Sequence, residues 1–134
     1  MPTMSAAQRR ERHREQYLAM MDNCASRQVL DTISDKWVTL VLHALAGGPQ
    51  RRGALSREVA GASPKMLTQT LRRLERDGIV SRTVIPDVPV HVVYELTPLG
   101  RSLRELVCTI RDWSDAHIGE MHEARAAHRE IAAG

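Results

Sequence analysis

Leu67, Leu71 and Leu74 recur at helical spacing between Ser63-Pro64 and Gly78, the clearest period in the chain. Serine can cap a first turn with its side-chain oxygen, and proline suits the first helical position because it has no N–H to leave unpaired. These signals predict a helix over residues 64–77, about 21 Å long at 1.5 Å per residue. Upstream, Trp37, Val38, Leu40, Val41, Leu42, Ala44 and Leu45 cover nearly every side of a helix over residues 36–46. That helix is expected to be buried in the middle of the domain. Ser34 or Asp35 can cap it, and Gly47-Gly48-Pro49 ends it.

The flanks read differently. Residues 5–21 are rich in Arg, Glu, Gln and Ala, which predicts an exposed helix. Val29, Leu30 and Ile33 form the apolar side of a short helix over residues 25–33. Arg51-Arg52 predicts a short strand before a small helix over residues 54–60, and Gly61-Ala62 turns the chain. Residues 79–85 are rich in β-branched side chains and read as a strand, Pro86-Asp87-Val88-Pro89 turns it, and residues 90–96 return as a second strand. Thr97-Pro98 repeats the cap-and-proline start. Beyond it, Leu99, Leu103, Leu106, Ile110 and Trp113 are spaced four, three, four and three apart, a heptad seam.

The fold class is therefore mainly α with a small β-hairpin (α+β). Helices with a tight turn before the third, then a hairpin, describe a winged helix-turn-helix. Three segments follow: an N-terminal helical extension over 1–24, the winged helix-turn-helix over 25–97, and a C-terminal dimerisation helix over 98–134. The seam could pack onto the chain's own core, but one long helix cannot bury a whole stripe against so small a domain. A homodimer is expected, with Leu99, Leu103, Leu106, Ile110 and Trp113 at its interface.

With leucines inward, the helix over 64–77 offers Lys65, Met66, Thr68, Gln69, Arg72, Arg73 and Arg76 outward. Arg and Gln can make bidentate contacts to base edges, and Lys, Thr and Arg can hold phosphates. Ser63 places free N–H groups at a helix N-terminus, where an anion can sit. Arg82 and His91, placed near the hairpin tip, are expected on flanking backbone or minor groove. The predicted partner is double-stranded DNA. The alternatives are a solvated amphipathic face and a winged helix that docks a protein.

Net charge is only +3, so the sum decides little and placement decides more. Arginines group at positions 9, 10, 12 and 14, at 51 and 52, and at 72, 73 and 76. Cys24 and Cys108 are far apart and form no CxxC pair, which fits a reducing compartment and no zinc ribbon. The six histidines show no ligand spacing, and no nucleophile elbow or phosphate loop is present. No metal, cofactor or catalytic activity is expected. The start of the chain runs straight into charged residues, and no apolar run approaches a membrane span. A cytoplasmic protein is expected.

Cys24 through Trp37, the run Ser63-Pro64-Lys65-Met66-Leu67-Thr68-Gln69-Thr70-Leu71, and Tyr94-Glu95-Leu96-Thr97-Pro98-Leu99-Gly100 together resemble the HxlR family of bacterial regulators. The likeness runs from Cys24 to Trp113. It implies a dimeric winged helix related to the MarR group, controlling transcription at operator DNA. The helix over 64–77 would be its recognition helix and residues 80–96 its wing. The chain departs from the family pattern at Ala25 (usually proline), at Ser34-Asp35 (usually a glycine pair) and at Arg52 (usually phenylalanine). These positions lie outside the recognition helix and bear on the effector response. Several family members resemble redox or electrophile sensors acting through the cysteine aligned with Cys24. Arg27 and the adjacent helix start would favour its thiolate. A small residue that merely packs at the interface, with a small-molecule effector instead, is the alternative. Cys108, between Val107 and Ile110, is expected to be buried and inert.

Overall fold

The computed structural model describes residues 3–134, in the order α1 (Ala6–Asp22), α2 (Ala25–Ile33), α3 (Lys36–Ala44), β1 (Gln50–Arg51), α4 (Arg52–Glu58), α5 (Pro64–Arg76), β2 (Val80–Ile85), β3 (His91–Leu96) and α6 (Pro98–Ala133). The caps explain most boundaries. Ser5 and Gln8 form a reciprocal capping box on α1. The Asp35 side chain accepts from the Trp37 N–H at 2.8 Å, and the Ser63 hydroxyl from the Met66 N–H at 3.1 Å. Gly78, at φ +74°, reverses the chain after α5, a conformation that L side chains rarely adopt.

The winged helix-turn-helix is present, and its hairpin gains a third strand. β1 pairs with β3 (Gln50↔Tyr94, Arg51↔Val93), so the antiparallel sheet runs β1-β3-β2. Arg52 is not in that strand. It begins α4, two residues earlier than the pattern predicts, because the extended Arg51 already serves as the N-cap.

The core comes from α3, α4, α5 and the sheet: Val38, Val41, Leu42 and Leu45, then Leu55 and Val59, then Leu67, Leu71 and Leu74, closed by Ile79, Val80, Tyr94 and Leu96. Only the root of the wing is buried, since Val80 pairs with Leu96 while residues 81–84 of β2 are exposed. Leu40 corrects the expectation of an α3 buried all round, because it faces outward.

α1 and α2 bury no residue, and α6 buries only Gly100. That glycine anchors the start of α6, where an added Cβ would overlap the Ile79 carbonyl. The Thr97 hydroxyl donates to the Gly78 carbonyl at 2.6 Å and accepts the Gly100 N–H at 3.0 Å. α6 is 36 residues long in all, roughly 54 Å. The seam splits along it. Leu103 and Val107 pack against the chain's own core, whereas Leu99, Leu106, Ile110 and Trp113 stay exposed. Among the described residues no helix is long and apolar enough to cross a membrane.

Candidate nucleic-acid interface

Successive helical residues are rotated by about 100°, so the buried set on α5 fixes where the others point. Leu67, Thr70, Leu71 and Leu74 are its buried residues. Diametrically opposite lie Lys65, Gln69, Arg72 and Arg76, all exposed. Among the described residues none of these cations is in an ion pair. Thr68 and Glu75 occupy one flank, toward the wing, and Met66 and Arg73 occupy the other, toward α3.

On the wing side a cleft of about 390 Å³ separates α5 from the sheet, lined by Arg52, Thr68, Arg72, Glu75, Arg82 and Tyr94. Arg52 reaches into it from the start of α4. One of its guanidinium nitrogens donates to the Pro64 carbonyl at 3.1 Å and to the Thr68 hydroxyl at 2.9 Å. Arg82 lies here rather than at the tip, because it pairs with Tyr94 near the root of the hairpin. Three guanidiniums therefore converge beside the outward row, tempered by one carboxylate. Such a cleft can take a backbone phosphate by charge-assisted hydrogen bonds.

His91 does sit near the tip, opposite Ile85. Its Nδ1 lies 3.3 Å from the Pro89 carbonyl. It borders a more open groove shared with Arg51, Arg52 and Arg57. The cleft beside α5 thus brings in Arg52 and Glu75, which sequence reasoning did not select. Arg52 had a signal, as the arginine standing where the resembling family has phenylalanine. Glu75 had none, because an acid on an outward face reads as solvation.

The remaining expected contacts fall elsewhere. Met66 borders a pocket with Asp35 and Trp37. Arg73 is the clearest departure: its guanidinium donates to the Thr32 hydroxyl at 3.2 Å and lies 3.8 Å from the Asp35 carboxylate. An arginine engaged there is turned away from the row of Lys65, Gln69, Arg72 and Arg76.

Cys24 is exposed and stands at the N-cap of α2. Its Sγ lies 3.2 Å from the Ser26 hydroxyl. That hydroxyl, followed by the Arg27 and Ser26 backbone N–H groups, holds the thiol below the ordinary cysteine range. Arg27 acts on the thiol through its backbone N–H, while its side chain lies 3.8 Å from the Asp31 carboxylate. Cys108 is half-buried on α6. Among the described residues no group of three or more His, Cys, Asp or Glu side chains is placed to hold a metal ion.

A tri-helical core, a wing and a polar helix face define a winged helix-turn-helix DNA-binding transcriptional regulator, a class that the solved neighbours share. The chain belongs to the HxlR-like helix-turn-helix family, whose model matches residues 32–122. It is 41% identical over 104 residues to the HTH-type transcriptional regulator YtfH of Escherichia coli (strain K12), covering 78% of this chain and 82% of that one. The structure of a YtfH regulator from Salmonella typhimurium matches with a TM-score of 0.65 at 39% identity, over 78% of this chain and 93% of that one. The redox regulator HypR in its oxidized form matches with a TM-score of 0.63 at 35% identity, over 69% and 96% of the two chains.

Proposed function

We propose that this regulator acts as a homodimeric repressor on a pseudo-palindromic operator. Two copies of α5 would enter the major groove about one helical turn apart, near 34 Å. The observation that carries the reading is the outward row on α5. Lys65, Gln69, Arg72 and Arg76 lie opposite the leucines, with the Ser63-capped helix start and the Arg52–Arg82 cleft alongside. Gln69 and Arg72 contact base edges, and Lys65 and Arg76 hold phosphates. Thr68 and Arg82 brace the backbone on the wing side, and His91 reaches the flanking groove. In this reading the bound dimer represses by occupying its operator.

A response to oxidants or electrophiles through Cys24 completes the proposal. It is supported by the exposed, thiolate-favouring cap of α2 and by likeness to a redox regulator.

Duplexes selected from a random pool supply the operator, and a gel-shift series then tests the row. Arg72→Ala should weaken the selected site by about 1–3 kcal/mol and blur base preference at one position. Unchanged affinity and preference would overturn the assignment.

A further inference from the structure

We propose that Arg73 is a positioning residue, not a DNA contact: it ties the recognition helix to the junction of α2 and α3 and so sets the orientation of the reading face. The inference rests on the DNA-binding reading of α5 and deepens it.

The tie has fixed ends. Asp35 is held as the N-cap of α3 through its other carboxylate oxygen, which accepts the Trp37 N–H at 2.8 Å. The Thr32 hydroxyl donates to the Gln28 carbonyl at 3.2 Å, which turns a lone pair toward the Arg73 donor. The Arg73 and Asp35 side chains are 33% and 35% exposed, so water screens this pair less than one on an open surface. Among the described residues these two contacts are the only side-chain hydrogen bond or ion pair that joins α2 and its junction with α3 to α5. They matter because α2 buries nothing of its own. A displacement of α2, whether by modification at its N-cap or by a partner surface, has a direct polar route to the reading face through this guanidinium.

A direct contact and a tie differ in what Asp35 does. If Arg73 touched phosphate, Asp35 would compete with DNA for it, and removing the acidic charge would tighten binding. If Arg73 is a tie, the same change loosens the helix and weakens binding. Asp35→Asn is the sharp variant, because asparagine caps a helix as well as aspartate does. Thr32→Val removes the second anchor without touching α3.

Fluorescence anisotropy on a duplex selected by the wild-type protein, run as a salt series, reads the outcome. Each variant is expected to weaken the site about three- to tenfold, as loss of one hydrogen bond or half-buried pair would. The thermal melt should stay cooperative and fall by no more than a few degrees, and the slope of log K against log salt should stay unchanged. Arg73→Ala combined with Asp35→Asn should be no weaker than Arg73→Ala alone. Equal or tighter binding by Asp35→Asn, or a slope that falls by about 0.9 in Arg73→Ala, would overturn the inference. A wild-type protein that binds no duplex at low salt would instead sink the DNA-binding reading on which it stands.

Discussion

Residues 36–97 and the helices around them solve different problems. The first region encloses most of its own apolar side chains, Leu40, Met66 and the wing excepted, with Val38, Val41, Leu55 and Leu74 wholly inaccessible. The second shows its apolar side chains to solvent: Tyr17, Leu18 and Met20 on α1, Leu30 on α2, and Leu106 and Trp113 on α6. Where such side chains adjoin, exposed apolar surface is the usual mark of an interaction face. The winged core is filled within one chain, with Leu103 and Val107 of α6 packed against it, whereas α1, α2 and the outer side of α6 leave apolar side chains uncovered. In the proposed function a second copy covers them.

The contrast breaks most easily in the core. Leu74, which is 0% exposed, faces α3 and the sheet. Leu74→Ala should cost about 3 kcal/mol through lost burial and the cavity left behind. Urea unfolding should show that loss equally at low and high protein concentration. A penalty under about 1 kcal/mol would mean that the core repacks freely and is not the self-contained unit described.

Exposed α6 gives the opposite signature. Ile110 is 41% exposed in the single chain, and Ile110→Asp should leave helical content intact. On the homodimer reading it should weaken self-association by about 2 kcal/mol or more, as at a central interface position. Sedimentation would show monomer where the parent is dimer, and operator affinity would fall with it. A parent that is already monomeric, or a variant that dimerises as before, would remove α6 from the interface.

The same contrast explains what could be read in advance. The leucines of α5, the Ser63-Pro64 start, the hairpin and the Thr97-Pro98 start all depend on neighbours in sequence. Each appears where periodicity and capping place it. What periodicity cannot supply is the partner of a face. Leu99 and Leu103 belong to one heptad seam, yet only Leu103 meets the core, because Gly100 brings that part of α6 against Ile79. Leu40 fits a buried helix by composition and points outward nonetheless. In the candidate site the outward row follows from the leucines alone. The orientations of Arg52, Arg73 and Arg82 depend on contacts 12 to 41 residues away, and no local pattern encodes them.

The smallest expected effect lies at the thiol of the loosely packed region. Hydrogen bonding from the Ser26 hydroxyl, with the Arg27 and Ser26 N–H groups behind it, favours the charged form of Cys24 and lowers its pKa. The thiolate should therefore form at a lower pH than in a free cysteine thiol. Ser26→Ala removes the largest contributor and leaves the backbone donors, so the midpoint should move back up without reaching the free-thiol value. Alkylation of Cys24 by iodoacetamide, followed by peptide mass analysis across pH, separates it from Cys108 and reads that midpoint directly. The proposed response to oxidants then predicts slower release of operator by Ser26→Ala than by the parent at neutral pH, because less thiolate is present to react. An alkylation profile coincident with free thiol in the parent would show that the helix start gives Cys24 no advantage. The oxidant response would then have to arise elsewhere in the molecule.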